Sequence, residues 1–255
     1  MASRSYKAIQ VRSGHQRSQE DELVVEVPLQ IIINGEPLSI TMQTPGDEKQ
    51  LVRGLLHSED IYRSDEAPEM VFTERSETSY ADMIEVTIPH DKLGKGYKNS
   101  RQLLSVSSCG ICGRTDFQPR SGTALGSSPF DNDQIQSMMN EMRARQSLFE
   151  ITGGSHGAAA FDKMGKLLTI KEDIGRHNAV DKVIGQLLMD QTIKSAQLLT
   201  VSGRLSYEII AKTFMAGIPN VAAVSAPSSL AVDFAKELGI RLIAFTRGDR
   251  LTVYS

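Results

Sequence analysis

From residue 131 to residue 245 the chain alternates apolar β-type runs with amphipathic stretches, and this alternation restricts its fold more than any other feature. Short runs rich in Val, Ile, Leu and Ala fall at residues 157–161, 167–171, 197–201, 221–225 and 241–245. Stretches of helical period separate them. Across residues 176–189, Val180, Val183, Ile184, Leu187 and Leu188 recur at i, i+3, i+4, i+7 and i+8, one face of a helix. Residues 131–148 read as a helix capped by Asp131 or Asp133, and residues 207–215 as another ended by Gly217. Ser228 or Ser229 caps a fourth, with Leu230, Phe234 and Leu238 on one side and Gly239 as its stop. Strands and helices in this order bury each other's apolar faces as a sheet covered by helices, which predicts a three-layer α/β domain.

The first half reads differently. Residues 23–33 form a Val- and Ile-rich strand, Asn34-Gly35 a turn, and residues 38–43 a second strand. Asn-Gly marks a hairpin because both residues tolerate positive φ, and Pro37 suits a strand start or edge. Asp47, after Pro45-Gly46, caps a helix over residues 48–57, and residues 83–88 supply another strand. Hairpin, helix and strand predict a small α+β roll. Residues 91–108 carry Lys92, Lys95, Lys98 and Arg101 with Gly94 and Gly96, and read as a basic, flexible connection. The expected division is residues 1–118 for the roll, linker and cysteine loop, and residues 119–255 for the α/β domain.

Composition removes several function classes. No stretch approaches the ~18 apolar residues of a membrane span. Residues 1–19 are polar and lack the apolar run of a signal peptide, which places the protein in the cytoplasm. A formal net charge of −3 argues against bulk nucleic-acid binding.

The chain has two cysteines, Cys109 and Cys112, inside SSCGICGR at residues 107–114. In an intracellular chain such a pair handles sulfur, redox equivalents or metal rather than stapling the fold. Sulfur chemistry needs an accessible thiolate, and neighbouring cations and backbone N–H groups lower a thiol's pKa. Gly110 and Gly113 permit close backbone approach, and Arg114, Arg101 and Lys98 bring positive charge. A second thiol three residues on can resolve a persulfide by the attack that drives thiol–disulfide exchange. A structural zinc would need two further ligands, with His156 and His177 the candidates. A thioredoxin-type site would need a strand-to-helix junction that the flanking sequence lacks. A zinc deaminase would pair His57-Ser58-Glu59 with the cysteines, but Ser108 stands where its signature has proline, and His57 reads as a surface helix residue.

Four segments join glycine to polar or basic residues near element ends: residues 153–157, residues 172–178, Ser202-Gly203-Arg204 and residues 245–250. Each alone has the composition of a solvated turn. Together they suit a phosphorylated ligand, with backbone N–H groups and arginines facing phosphate oxygens. Gly175, Arg176, His177, Asn178, Ser202, Gly203 and Arg204 are the candidate binding residues of the second and third segments.

SSCGICGR, the run EDIGRHNAVDK at residues 172–182 and FTRGDR at residues 245–250 together resemble the FdhD/NarQ family, accessory sulfurtransferases of formate dehydrogenase. The resemblance extends from about the Asn34-Gly35 hairpin to the C-terminus, and EDIGRHNAVDK is its most specific part. It implies that a cysteine desulfurase supplies persulfide sulfur, that Cys109 accepts it, and that the sulfur passes to molybdenum in a bis(molybdopterin guanine dinucleotide) cofactor. It further implies that Phe245, Thr246, Arg247, Gly248, Asp249 and Arg250 contact this cofactor; because Asp249 precedes Arg250 and partly offsets its charge, Arg247 ranks above Arg250 for phosphate contact. A C-terminal domain similar to the cytidine deaminase fold and a homodimer are also implied. Two functions from different classes stay open: a sulfurtransferase with a covalent persulfide, and a chaperone that only binds and shields the cofactor.

Overall fold

In the computed structural model, residues 2–74, 80–100, 130–248 and 250–255 are described. The chain opens with an antiparallel ribbon of β1 (Ser3–Arg12) and β2 (His15–Val24), turning at Ser13 and Gly14 with positive φ at both. The ribbon is mostly exposed on both faces, so burial imprints no alternation on it. The single strand expected over residues 23–33 is divided at Val25 and Glu26, where β2 ends and β3 (Val27–Ile33) begins.

β3 and β4 (Glu36–Gln43) form the expected hairpin, with Asn34 at φ 51° and Gly35 at φ 79°. Helix α1 (Glu48–Ser58) follows, then β5 (Glu69–Glu74) and β6 (Ala81–Thr87). The sheet order is β4-β3-β6-β5, with β3 and β6 parallel. Leu51, Val52 and Leu56 of α1 bury against Leu29, Ile31, Ile33, Ile84 and Val86, which forms the core of the expected roll. Asp47 stands at the cap position of α1 without capping it, because its carboxylate takes Lys171 Nζ at 2.6 Å instead.

A 3-10 turn (His90–Lys92) and α2 (Lys95–Ser100) occupy the described part of the expected linker. This part is packed rather than free. A Cβ on Gly94 would stand 2.9 Å from the Asp60 carbonyl carbon, and one on Gly96 2.9 Å from that of Glu59. Glycine here lets α2 close against the end of α1. Residues 101–129, which hold the rest of the linker and both cysteines, lie outside the described residues.

The second half follows the expected alternation. It contains α3 (Asn132–Ala144), α4 (Ser147–Thr152), β7 (His156–Asp162), β8 (Leu167–Asp173), α5 (Arg176–Met189), β9 (Ala196–Val201), α6 (Tyr207–Met215), β10 (Asn220–Ala223), α7 (Ser229–Leu238), β11 (Arg241–Arg247) and β12 (Arg250–Val253). Asp131 caps α3 in a box with Gln134. The helix expected over residues 131–148 breaks at Arg145 and Gln146. Gly239, left-handed at φ 65°, ends α7. Leu230 is exposed, and Ala231 and Ala235 join Phe234 and Leu238 on the buried side.

The sheet order is β12-β11-β10-β9-β7-β8, with β9, β10 and β11 parallel. Helices α5, α6 and α7 bury Val183, Leu187, Ile210 and Phe234 on one face. Helix α3 buries Ile135, Met138 and Met142 on the other, against Phe161 and Leu198. The result is the three-layer arrangement expected from the sequence. Helix α1 then packs across α5 at a pair of facing glycines: a Cβ on Gly54 would stand 2.9 Å from Gly185 N, and a Cβ on Gly185 2.9 Å from Gly54 N. No helix among the described residues is long and apolar enough to cross a membrane.

His57 is buried at this junction, contrary to its reading as a surface residue, and bonds the Met215 carbonyl through Nε2 at 2.9 Å. Burial, helped by Arg63 and Arg53, holds its imidazole at about 4, below the ordinary 6.5. A histidine kept neutral by folding contributes stability that is fully present above pH ~6.5 and is lost as pH falls toward ~4. The expected loss is up to about 3 kcal/mol over that window. Urea midpoints at several pH values, compared between the wild type and His57→Gln, should show a shallower acid decline in the variant.

Candidate functional site

Strand direction brings the loops after β8, β9, β10 and β11 to one edge of the six-stranded sheet, together with the start of β7. Ligands of α/β sheets bind beyond such carboxyl ends. The loops are tied to one another. Ser202 N donates to Gly157 O, and Gly157 N to Ser202 Oγ, each at 2.9 Å. Leu205 N donates to Ala226 O at 3.1 Å and Ser228 N to Leu205 O at 2.9 Å. Thr246 Oγ1 donates to Ala223 O at 2.8 Å. Phe245 holds a left-handed φ of 56° beside a β-bulge, a strained state for an aromatic residue at the mouth of the site.

Arg176 and His177 open α5, and Arg204 is exposed on the loop after β9. Gly203 lies between them, buried. A Cβ there would stand at ordinary contact distance from His156 Nδ1, 3.4 Å, and Arg176 Cδ, 3.6 Å, so both side chains lie against Gly203. His177 Nε2 lies 3.0 Å from Glu208 Oε2 and 3.1 Å from Ser206 Oγ. Among the described residues, Arg176 Nε and Glu208 Oε1 are buried without a hydrogen-bond partner. Burial first, then Arg176, with His177 and Arg204 contributing, lowers the His156 pKa, and Asp173 opposes them. The arrangement is a cluster of basic side chains that can take an anion.

The remaining candidates divide. Arg247 and Gly248 are exposed at the end of β11, on the same edge. The Arg250 guanidinium stacks over the Phe245 ring at 5.7 Å and lines a groove with Asn132, Gln136 and Asn140 of α3. Gly175 and Asn178 lie behind the edge: Gly175 N donates to Asp173 Oδ1 at 2.7 Å, and Asn178 Nδ2 to Met42 O at 2.7 Å and Asp173 Oδ1 at 3.1 Å. Asp173, fully buried, also pairs with Lys182 at 2.7 Å and accepts Thr44 N at 3.0 Å. Lys182 in turn donates to Thr44 O at 2.6 Å. Asp181 takes Lys212 at 2.7 Å and Ser58 Oγ at 3.0 Å. Glu172 accepts the N–H groups of Leu148 and Phe149, each at 2.8 Å, at the start of α4. Much of EDIGRHNAVDK therefore joins α5 to the N-terminal half, and Arg176 and His177 are the residues it offers to the edge. Cys109, Cys112 and Asp249 lie outside the described residues.

His156 and Glu208 were absent from the candidate binding residues. His156 sits in a glycine cluster visible in the sequence, but only the pairing of β7 with β8 and β9 carries it to Arg176. No group of three or more His, Cys, Asp or Glu suited to a metal occurs among the described residues.

The FdhD/NarQ family model matches residues 24–255. The chain belongs to the FdhD/NarQ family. Relatives named sulfur carrier protein FdhD include one from Streptomyces avermitilis, 40% identical with 98% of this chain and 92% of the relative covered. Another, from Sulfolobus acidocaldarius, is 38% identical with 100% and 97% covered. Among solved structures, a protein assigned as a formate dehydrogenase accessory protein from Desulfotalea psychrophila superposes with TM-score 0.74 at 25% identity, covering 100% of this chain and 97% of that one. The ribbon of β1 and nearly all of β2 precedes the stretch matched by the FdhD/NarQ model.

Proposed function

We propose that this chain is a cytoplasmic sulfur carrier that moves sulfur from a cysteine desulfurase, through a persulfide on Cys109, to the molybdenum of bis(molybdopterin guanine dinucleotide), the cofactor destined for formate dehydrogenase. The observation that carries this reading is kinship, at about 40% identity over 98% of the chain, with proteins named sulfur carriers. The cysteine pair supplies the matching chemistry. The Cys109 thiolate attacks the outer sulfur of the donor's persulfide; a new S–S bond forms, and the donor's cysteine leaves as a thiolate. Attack of Cys112 on Cys109 then forms a disulfide and expels the outer sulfur as hydrosulfide, the oxidation level a sulfido ligand requires. Both steps conserve electrons, the second at the expense of the two thiols.

The cofactor is the substrate here, and each of its nucleotide arms carries a diphosphate. Arg176, Arg204 and Arg247 at one sheet edge support its binding, since arginine pairs bidentately with phosphate oxygens. Two copies of the chain working as a homodimer complete the proposal.

Cys109→Ala separates carrier from cofactor chaperone. In a reconstitution with desulfurase, cysteine, cofactor and formate dehydrogenase, the variant should bind cofactor as the wild type does and leave formate dehydrogenase inactive. Near-normal activation by Cys109→Ala would replace the carrier reading with the chaperone.

A further inference from the structure

Around Gly203 the edge gathers four basic side chains from three segments: His156 from β7, Arg176 and His177 from α5, and Arg204 from the loop after β9. His156 Nδ1 and the Arg176 stem both pack within 3.6 Å of where a Cβ on Gly203 would stand, so the imidazole and the arginine stem flank one glycine. Of the two carboxylates nearby, Asp173 is fully engaged, while Glu208 keeps one buried oxygen, Oε1, without a hydrogen-bond partner among the described residues. Asp173, opposite His156 on β8, pairs with Lys182, and Glu208 pairs with His177. Arginine does not titrate in a protein, whereas histidine changes charge near neutral pH. Burial and the surrounding cations lower the pKa of His156 here, against the pull of Asp173. An anion bound at this cluster reverses that balance, because it offsets Arg176 and Arg204 and offers the imidazole an acceptor.

We propose that His156 is a proton-linked binding residue of this edge: it takes up one proton from solvent as a diphosphate diester binds, and then donates a hydrogen bond to it beside Arg176. The inference rests on the reading of this edge as the site for the cofactor's nucleotide arms. No covalent bond forms or breaks. Affinity rises as pH falls through the titration of His156 in the complex, and levels off once His156 of the free protein is also protonated.

The test uses GDP-mannose, a guanosine diphosphate diester whose phosphate charge is constant between about pH 5.5 and 8. Calorimetric titration of the full chain should give binding about tenfold tighter at the acid end, the effect of one pKa unit gained on binding. Proton uptake should show as a binding heat that changes with the buffer's ionisation heat. His156→Gln should still bind, with the pH slope lost, while Arg176→Ala should bind weakly at every pH. In the wild type, the imidazole resonances of His156 should titrate at higher pH with ligand than without, a measurement that needs no variant. A flat wild-type profile, a slope that persists in His156→Gln, or an unmoved His156 titration would overturn the proposal and leave the anion site standing. Failure of the wild type to bind at any pH would overturn both.

Discussion

Gly185→Ala is expected to lower stability by about 3 kcal/mol or more, although alanine is the better helix former by about 1 kcal/mol. The reason is the crossing of α1 and α5. The added methyl would lie 2.7 Å from the Gln50 carbonyl carbon, closer still to its oxygen, and 2.9 Å from Gly54 N. The reciprocal variant, Gly54→Ala, would meet the Asp181 carbonyl carbon at 2.6 Å. All of these neighbours are backbone, so no side chain can rotate away, and relief requires the helices to separate. Separation would also pull on Ser58–Asp181 and Gln50–Gln186, bonded at 3.0 and 3.2 Å across the same interface. Urea unfolding should show a lowered midpoint for either variant. A midpoint equal to or above that of the wild type would mean that the two helices are not held this close.

Asp173→Ala is expected to cost about 3–5 kcal/mol, the range for stranding one member of a buried ion pair. It leaves Lys182, with 1% of its side chain exposed, facing backbone carbonyls alone, and it frees three N–H groups from Thr44, Gly175 and Asn178. Lys182→Met should cost less, because those three donors still hold the Asp173 carboxylate and the methionine fills the vacated apolar path. The double variant should be more stable than the sum of the single losses predicts, since the stranded charge is then gone. Denaturation of the three variants measures this coupling directly. Strictly additive losses would contradict the pair as described.

These two sites show where sequence reading reaches and where it stops. The Asn34-Gly35 hairpin and the α5 boundaries were legible because each rests on local chemistry, a positive-φ turn in one case and an apolar stripe of period 3.6 in the other. The β1–β2 ribbon was not, because a ribbon exposed on both faces carries no burial pattern. Within EDIGRHNAVDK, the residue types suit a phosphate site and a buried polar network equally well. What separates them is direction along α5. Asn178, Asp181 and Lys182 turn toward partners in β4, α1 and the segments beside them, while Arg176 and His177 stay on the first turn at the sheet edge. Gly54 and Gly185 were visible as glycines inside helical patterns, but their mutual contact spans 131 positions and leaves no local mark. His156 reaches Arg176 through strand pairing alone.

Under the proposed function, sulfur rides covalently on Cys109. Intact-mass measurement after incubation with an active cysteine desulfurase and cysteine tests it most directly. The wild type should gain the mass of one or more sulfur atoms, the gain should disappear on reduction, and Cys109→Ala should show none. A wild type that gains no sulfur from an active donor, or a Cys109→Ala variant that gains as much as the wild type, would contradict it.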